Sequence, residues 1–391
     1  MQRIRVLIVD GVSTTRQLLG RVLQRDMDLE VVAAVAGGRL ALARLSELRP
    51  DVVLLDVALP ELEGLQTLAA VRETHPHLPV IVFSGLTERG SQVTVEALLL
   101  GATDYVTKPV SNAELEQCVL GELTMKIKSL HAASVKCEPE GVSPMALTLE
   151  SSRHIPCAVS LRSADGTWSV PATPPVKSVS SGSPVAVRPA TPSAEIVAIA
   201  TSTGGPNALT SLLSSLPATF TTPIVVVQHM AAGFTSTLAA SLRRQTGRDV
   251  REVETVQPLN AAPVWLAPGG RHLVVTRQGA TIQVAPDNAL PENGCCPSAD
   301  VLFRSVVDLF GSRCLAVVLT GMGHDGLAGC RAIRHAGGQI LAQDEATSIA
   351  WGMPGQVAMA GLADDVLPLT GIAQEICRRT THTRTGRTGD P

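Results

Sequence analysis

The sequence predicts two α/β domains joined by a flexible linker: an N-terminal doubly wound (βα)5 domain and a C-terminal parallel-sheet α/β domain. Three observations lead there. Five apolar runs alternate with helix-compatible stretches from residue 4 to about 130, the pattern of a parallel sheet covered on both faces. A second series of apolar runs begins at Ile196. Between the two, composition shifts to Pro, Ser, Ala and Val without amphipathic period, as in PATPPVKSVSSGSPVAVRPATPS (171–193), which cannot bury enough surface to offset its ordering entropy. The expected divisions are 1–130, a linker at 131–193, a second domain at 194–379 and a disordered tail at 380–391.

Composition bounds the function classes. The 391 residues are 45% hydrophobic, ample for two cores, and only 2% aromatic, so Val, Leu, Ile and Ala must fill them. A formal net charge of −3 gives no electrostatic basis for binding nucleic acid or an anionic membrane. No apolar run reaches spanning length and no signal-peptide pattern opens the chain, which predicts a cytoplasmic protein without membrane insertion. The 8 cysteines include no C-x-x-C pair. Cys295 and Cys296 are adjacent, a poor spacing for a zinc site or a disulfide framework, so reduced thiols are expected.

In the first domain, strand-like runs at 4–9, 29–34, 52–55, 80–83 and 104–106 are separated by helical stretches at 14–25, 39–47, 65–74, 91–100 and 113–128. Chemistry sits at the strand ends, where open α/β sheets place their sites. Asp10 ends the first run and Asp56 the third; Ser84 follows the fourth and Lys108 the fifth. Two carboxylates brought together there can hold Mg²⁺. A carboxylate beside that cation can attack a phosphoryl donor, with a hydroxyl and an ammonium steadying the phosphoryl oxygens.

The stretches VLIVD (6–10), DVVLLDVALPELEGL (51–65), FSGLT (83–87) and DYVTKP (104–109) resemble the response-regulator receiver domain. That resemblance implies that Asp56 accepts a phosphoryl group from a chemotaxis histidine kinase, that Ser84 and Lys108 sense it, and that Tyr105 is the aromatic that moves on activation. Receivers usually carry two successive acidic residues after the first strand, and here the second is Gly11. Asp10 and Asp56 are then left to hold the metal with a backbone carbonyl. Weaker Mg²⁺ binding and slower or absent phosphorylation are expected.

The second domain is organised around IVAIATSTGGPNAL (196–209). An apolar strand, a tight turn with Gly204 and Gly205, and a helix with Pro206 in its first turn would lift Ser202 out at the sheet edge. Such a serine is a candidate nucleophile beside a helix start; a phosphate- or dinucleotide-binding turn is the competing reading, although G-x-G-x-x-G is absent. Further strand signals fall at 224–227, 264–267, 273–276, 282–285, 315–320 and, last, 340–342, with helices at 299–310 and from 326 to about 336. His229 follows one strand and Asp325 another. Serine needs an imidazole to take its proton and a carboxylate to orient that imidazole. His272 and His324 compete for the role of base, and Asp325 could merely cap the helix that begins beside it.

ATSTGGPNAL (200–209), VVVQHM (225–230), WLAPGGRHL (265–273), PSADVLFRSV (297–306), LTGMGHDGLAG (319–329) and AQDEATSIAWGMPG (342–355) resemble the catalytic domain of the chemotaxis protein-glutamate methylesterases. The resemblance implies a serine hydrolase that demethylates glutamate γ-methyl esters, and deamidates glutamines, on methyl-accepting chemotaxis receptors. Ser202 is then the nucleophile, His229 the base and Asp325 its orienting acid, with Thr203 and the Met322 N–H at the oxyanion site. No cofactor is implied for catalysis. In that family the receiver covers the active site and phosphorylation relieves the block. The alternative is a non-catalytic, receiver-linked scaffold.

Overall fold

A computed structural model describes residues 3–59, 63–85, 88–109, 111–136 and 192–380. Nearly all of the linker expected at 131–193, and the tail from 381, lie outside the described residues. Both α/β domains belong to one compact unit. No helix among the described residues is long and apolar enough to cross a membrane.

The first sheet has five parallel strands, β1 (Ile4–Val9), β2 (Leu29–Val35), β3 (Val52–Leu55), β4 (Val80–Gly85) and β5 (Asp104–Lys108), in the order β2-β1-β3-β4-β5. The central strand β3 is VVLL and is buried throughout, as a strand with helices on both faces must be. β1 pairs with β3 from Val6–Val52 to Val9–Leu55. The winding reverses between these two strands, so Asp10 and Asp56 emerge together at the crevice. All five expected strands are present, with ends moved by at most two residues.

The last helix of this domain departs from expectation. Ser111 and Glu114 close its start reciprocally as a capping box. After Asn112–Cys118 it passes through a π-helical turn, Val119–Leu123, and continues over Thr124–Lys136. Val119, Leu123, Ile127 and Leu130 stay buried in the core along it. The helix therefore crosses the boundary expected at residue 130.

The second domain contributes β6 (Ile196–Thr201), β7 (Ile224–Gln228), β8 (Val250–Glu252), β9 (Gln257–Pro258), β10 (Val264–Leu266), β11 (His272–Gln278), β12 (Thr281–Asp287), β13 (Cys314–Val318), β14 (Gln339–Gln343) and β15 (Asp365–Leu367). Seven form a sheet in the order β15-β14-β13-β6-β7-β10-β8, and each of its pairings is parallel. Alternate residues of β6 feed two cores. Val197 and Ile199 pack with Leu209, Leu212 and Ile372; Ile196, Ala198 and Ala200 face Phe303, Val306 and Ile333.

Two expectations are corrected here. The runs at 273–276 and 282–285 are not part of the parallel sheet: β11 and β12 pair antiparallel, with β9 beside β12, in a separate three-stranded sheet. The run at 340–342 is not the last strand, because β15 adds a further parallel edge to β14. Its sequence, DVL, is partly exposed at every position and carries no apolar signal of its own. Only its backbone pairing makes it a strand.

The two domains meet through side chains. The helix Glu88–Leu99 packs on the helices Gly205–Ser215 and Thr235–Thr246, and Val95 and Leu98 share one core with Leu209 and Phe234. Asn207 Nδ2 donates to Leu98 O at 2.7 Å.

Candidate active site

β6 lies between β13 and β7. The chain winds from β6 toward β7 and later returns on the other side of β6 to form β13. That reversal opens a crevice at the carboxyl ends, where doubly wound sheets bind their ligands. Ser202 leaves β6, His229 leaves β7, and Met322 and Asp325 lie in the loop after β13; all four line one cavity of about 1340 Å³. Ser202 N donates to Thr320 O at 3.0 Å and His229 N to Thr201 O at 3.0 Å, so both residues are held by backbone continuous with the ladder.

Small residues make the turn possible. Gly204 precedes the helix with φ +79°, a conformation that favours glycine, and Pro206 occupies its first turn as expected. A Cβ on Gly321 would sit 2.9 Å from Ser202 Cβ and 2.5 Å from Met353 Sδ. Gln228 Nε2 clamps the turn, donating to Ser202 O at 2.9 Å and His229 O at 3.1 Å.

His229 Nε2 hydrogen-bonds Asp325 Oδ2 at 2.7 Å. The same carboxylate accepts Ala299 N at 2.6 Å, Ser298 Oγ at 2.8 Å and Asp300 N at 3.1 Å. Asp325 thus caps a helix, but not the one beside it. It caps Ala299–Phe310, some 25 residues earlier, while presenting its remaining edge to the imidazole. Burial opposes charge on both partners. For His229, the hydrogen bonds to Asp325 and Cys295 and their charges outweigh that burial, and the imidazole is raised from 6.5 to about 9. For Asp325, burial is outweighed by the His229 hydrogen bond and charge, the Ala299 N–H and the Ser298 hydroxyl, and the carboxyl is lowered.

The competing histidines are placed differently. His272 is fully buried, with Nδ1 accepting from Ser298 N at 3.1 Å and Nε2 3.1 Å from Leu290 O. It is a satisfied core residue. His324 lines the cavity but is exposed. Among the described residues, Ser202 Oγ makes no hydrogen bond to His229, and the N–H groups of Thr203 and Met322 donate to no protein acceptor. Thr203 and Met322 line the cavity together with Ser202.

The first domain closes over this site. Thr203 Oγ1 donates to Asp104 Oδ2 at 2.5 Å, and Ala231 N donates to the Tyr105 hydroxyl at 2.9 Å. The Tyr105 ring lies 5.0 Å from that of Phe234. Burial raises the Tyr105 phenol to about 12. Lys126 Nζ holds Asp104 Oδ1 at 3.2 Å and Glu122 at 3.0 Å.

The remaining predicted residues gather at the other crevice. Lys108 Nζ is 2.7 Å from Asp10 Oδ2 and 3.3 Å from Asp56 Oδ2. Both carboxylates are buried, and burial raises Asp56 despite the nearby ammonium. Ser84 Oγ is buried without a hydrogen-bond partner, an orphan that a phosphoryl oxygen would satisfy. Two converging carboxylates fit a Mg²⁺ ion that retains several waters, while Gly11 withholds a third.

Ser298, Asp104, Gln228 and Cys295 were not singled out from the sequence as site residues. Ser298 lies within PSADVLF, an N-cap pattern that could have flagged it. Asp104 reaches Thr203 across 99 positions and Gln228 reaches Ser202 across 26, and Cys295 meets His229 and Asp325 only in the tertiary structure, so none carries a local signal for its role.

A family model described as CheB methylesterase matches residues 197–376, and one described as response regulator receiver domain matches residues 6–120. The protein-glutamate methylesterase/protein-glutamine glutaminase of Trichodesmium erythraeum is 39% identical over 382 residues, covering 97% of this chain and 99% of that protein. A protein of the same name from Nocardioides sp. is 43% identical over 384 residues, covering 97% and 96%. The crystal structure of the Thermotoga maritima CheB methylesterase catalytic domain is 37% identical, covering 48% of this chain and 98% of that one, with a TM-score of 0.46.

Proposed function

The chain belongs to the CheB methylesterase family, and from that premise we propose that it hydrolyses glutamate γ-methyl esters, and deamidates glutamines, on methyl-accepting chemotaxis receptors. The observation that carries the residue roles is the 2.7 Å hydrogen bond between His229 and Asp325 at the crevice that also holds Ser202. With Nε2 committed to the carboxylate, Nδ1 is the nitrogen that serves as base in this reading. Ser202 Oγ attacks the γ-carbonyl carbon as His229 takes its proton, and the developing oxyanion turns toward the Thr203 and Met322 N–H groups. Collapse expels methanol, or ammonia from a glutamine, which takes the proton from His229. Water, deprotonated by His229, then attacks the acyl-Ser202 carbonyl; the bond to Ser202 Oγ breaks, His229 returns the proton to that oxygen, and the glutamate carboxylate leaves.

In this reading the receiver controls access. Asp104 ties down Thr203 and Tyr105 ties down Ala231, so the face carrying β5 covers the mouth of the site. Asp56 is the proposed phosphoryl acceptor from a chemotaxis histidine kinase, with Asp10 and Asp56 as the residues that would hold Mg²⁺. The ion's positive charge would offset the phosphoryl oxygens. In this reading Ser84 and Lys108 read the new group, and Tyr105 passes the change to Ala231. Free thiols at Cys118, Cys295, Cys296, Cys314 and Cys330 fit a cytoplasmic setting.

The test is methanol release from methylated receptor membranes by the full chain, with and without a phosphoryl donor, against Ser202→Ala. Release that disappears in Ser202→Ala supports the assignment. Equal release from both proteins above the spontaneous rate overturns Ser202 as the nucleophile, and none from either overturns the hydrolase reading in favour of the scaffold.

A further inference from the structure

A second donor set shares this cavity. One imidazole nitrogen of His229, the Sγ of Cys295 and a carboxylate oxygen of Asp325 all lie within 4.8 Å of one another. Nothing in the hydrolytic sequence above employs Cys295. It is a free, partly exposed thiol on the cavity wall, carried by a turn in which Glu292 N donates to Cys295 O at 3.1 Å and Cys295 N to Glu292 O at 2.9 Å.

Thiolate, imidazole and carboxylate are the ligands Zn²⁺ prefers, and sites with three protein ligands keep a fourth, open position for water. Around a tetrahedral zinc with bonds of about 2.0–2.3 Å, donor atoms lie about 3.5 Å apart. To reach that spacing Cys295 Sγ has to close by at most about 1.3 Å, which a side chain on a surface turn can supply, while His229 Nε2 and Asp325 Oδ2, now 2.7 Å apart, have to part by about 0.8 Å to admit the ion. Asp325 is already oriented by Ser298 Oγ and the Asp300 N–H on its Oδ1, the kind of outer support that metal-binding carboxylates require. Neither neighbouring cysteine has a zinc-like spacing partner in the sequence; the tertiary structure supplies the partners.

We propose that His229, Cys295 and Asp325 form a Zn²⁺ site that takes a cavity water as fourth ligand. On binding, Cys295 releases its thiol proton to solvent and His229 gives up the proton it shares with Asp325, so that zinc stands in that proton's place. The bound imidazole then has no freedom to serve Ser202, and the metal acts as a reversible block. That consequence rests on the hydrolase reading above. The binding itself does not.

The experiment titrates the full chain with zinc alone against a chromophoric chelator, and with Co²⁺ as a spectroscopic substitute. Expected are one zinc per chain and a sulfur-to-cobalt charge-transfer band. Cys295→Ser should weaken zinc binding by about tenfold or more and abolish the band, whereas Cys296→Ser should preserve both. Should Cys295→Ser fail to fold, His229→Gln provides the same comparison in zinc affinity, with circular dichroism confirming the fold. Absence of stoichiometric binding, unchanged affinity in Cys295→Ser, or equal loss in Cys296→Ser overturns the site. A chain that binds zinc in the expected pattern yet releases no methanol when stripped of metal by a chelator upholds the site and refutes the hydrolase reading separately.

Discussion

Replacing Asp325 with Asn removes one charge and almost no volume, and its consequences divide cleanly between stability and catalysis. The carboxylate accepts from His229 and Ala299 on Oδ2 and from Ser298 and Asp300 on Oδ1. An amide has a single oxygen. With that oxygen kept toward His229 and Ala299, the new NH2 faces the Ser298 hydroxyl, which can accept, and the Asp300 N–H, which cannot. One buried N–H is left unpaired, at a cost of about 1–3 kcal/mol. For His229, the rise from 6.5 to about 9 corresponds to about 3 kcal/mol in favour of the imidazolium, net of the burial that opposes it. A base must be neutral, so kcat/KM for ester hydrolysis should climb with pH and level off above about 9. In Asp325→Asn the burial persists without the opposing carboxylate. The midpoint should fall by about two pH units and the plateau by about 10³–10⁴. The stability linkage has the matching sign. A raised histidine pKa stabilises the fold fully below pH 6.5 and loses that contribution as pH rises through about 9; the variant lacks it throughout. The assay is methanol release against pH, corrected for spontaneous ester hydrolysis, alongside NMR titration of the His229 ring protons. A ring that still titrates near 9 in Asp325→Asn would refute the argument, since its charge would then come from elsewhere.

Other perturbations test separate parts of the molecule. Gly321→Ala places a Cβ 2.9 Å from Ser202 Cβ and 3.1 Å from its N; thermal melting should show about 1–3 kcal/mol of destabilisation and methanol release a loss of about 10²-fold from the displaced serine, and an unaltered rate would count against the tight packing. Gly11→Asp meets only Leu59 Cδ2, at 3.3 Å, and restores a third carboxylate beside Asp10 and Asp56. Its Mg²⁺ affinity, read from the metal dependence of Asp56 phosphorylation, should rise about tenfold or more, and no gain would mean that Gly11 is not what limits the metal. Asp104→Ala removes the acceptor of the Thr203 hydroxyl and should raise unphosphorylated basal hydrolysis by about tenfold, as expected for a lost charge-assisted hydrogen bond across the closed face. Unchanged basal hydrolysis would show that this bond does not hold the receiver shut.

How much of this was legible beforehand depended on distance along the chain. Strands buried on both faces must be continuously apolar, so β1, β3, β6, β7 and β13 announced themselves, and the residues at their carboxyl ends, Asp10, Asp56, Ser202 and His229, could be named as candidates. The edge strand β15 could not, because DVL is half exposed and becomes a strand only by pairing with β14. Asp325 was legible as a candidate acid, and its capping was foreseen on the wrong helix. The helix that it caps, Ala299–Phe310, is brought to it by the packing of that helix against Leu327–His335. The separate antiparallel sheet of β9, β11 and β12 was missed for a related reason: period and hydrophobicity mark a strand but not its partner.

The sequence by itself determined the two α/β halves, the polar residues that end their strands and the family they resemble, because hydrophobic period and turn chemistry act over a few residues. Only the tertiary structure decided which partners those residues have. Asp104 meets Thr203 across 99 positions, Asp325 meets His229 across 96, and Cys295 comes within reach of both His229 and Asp325. Such contacts follow from the order of seven strands and the helices laid over them, and no local pattern encodes that order.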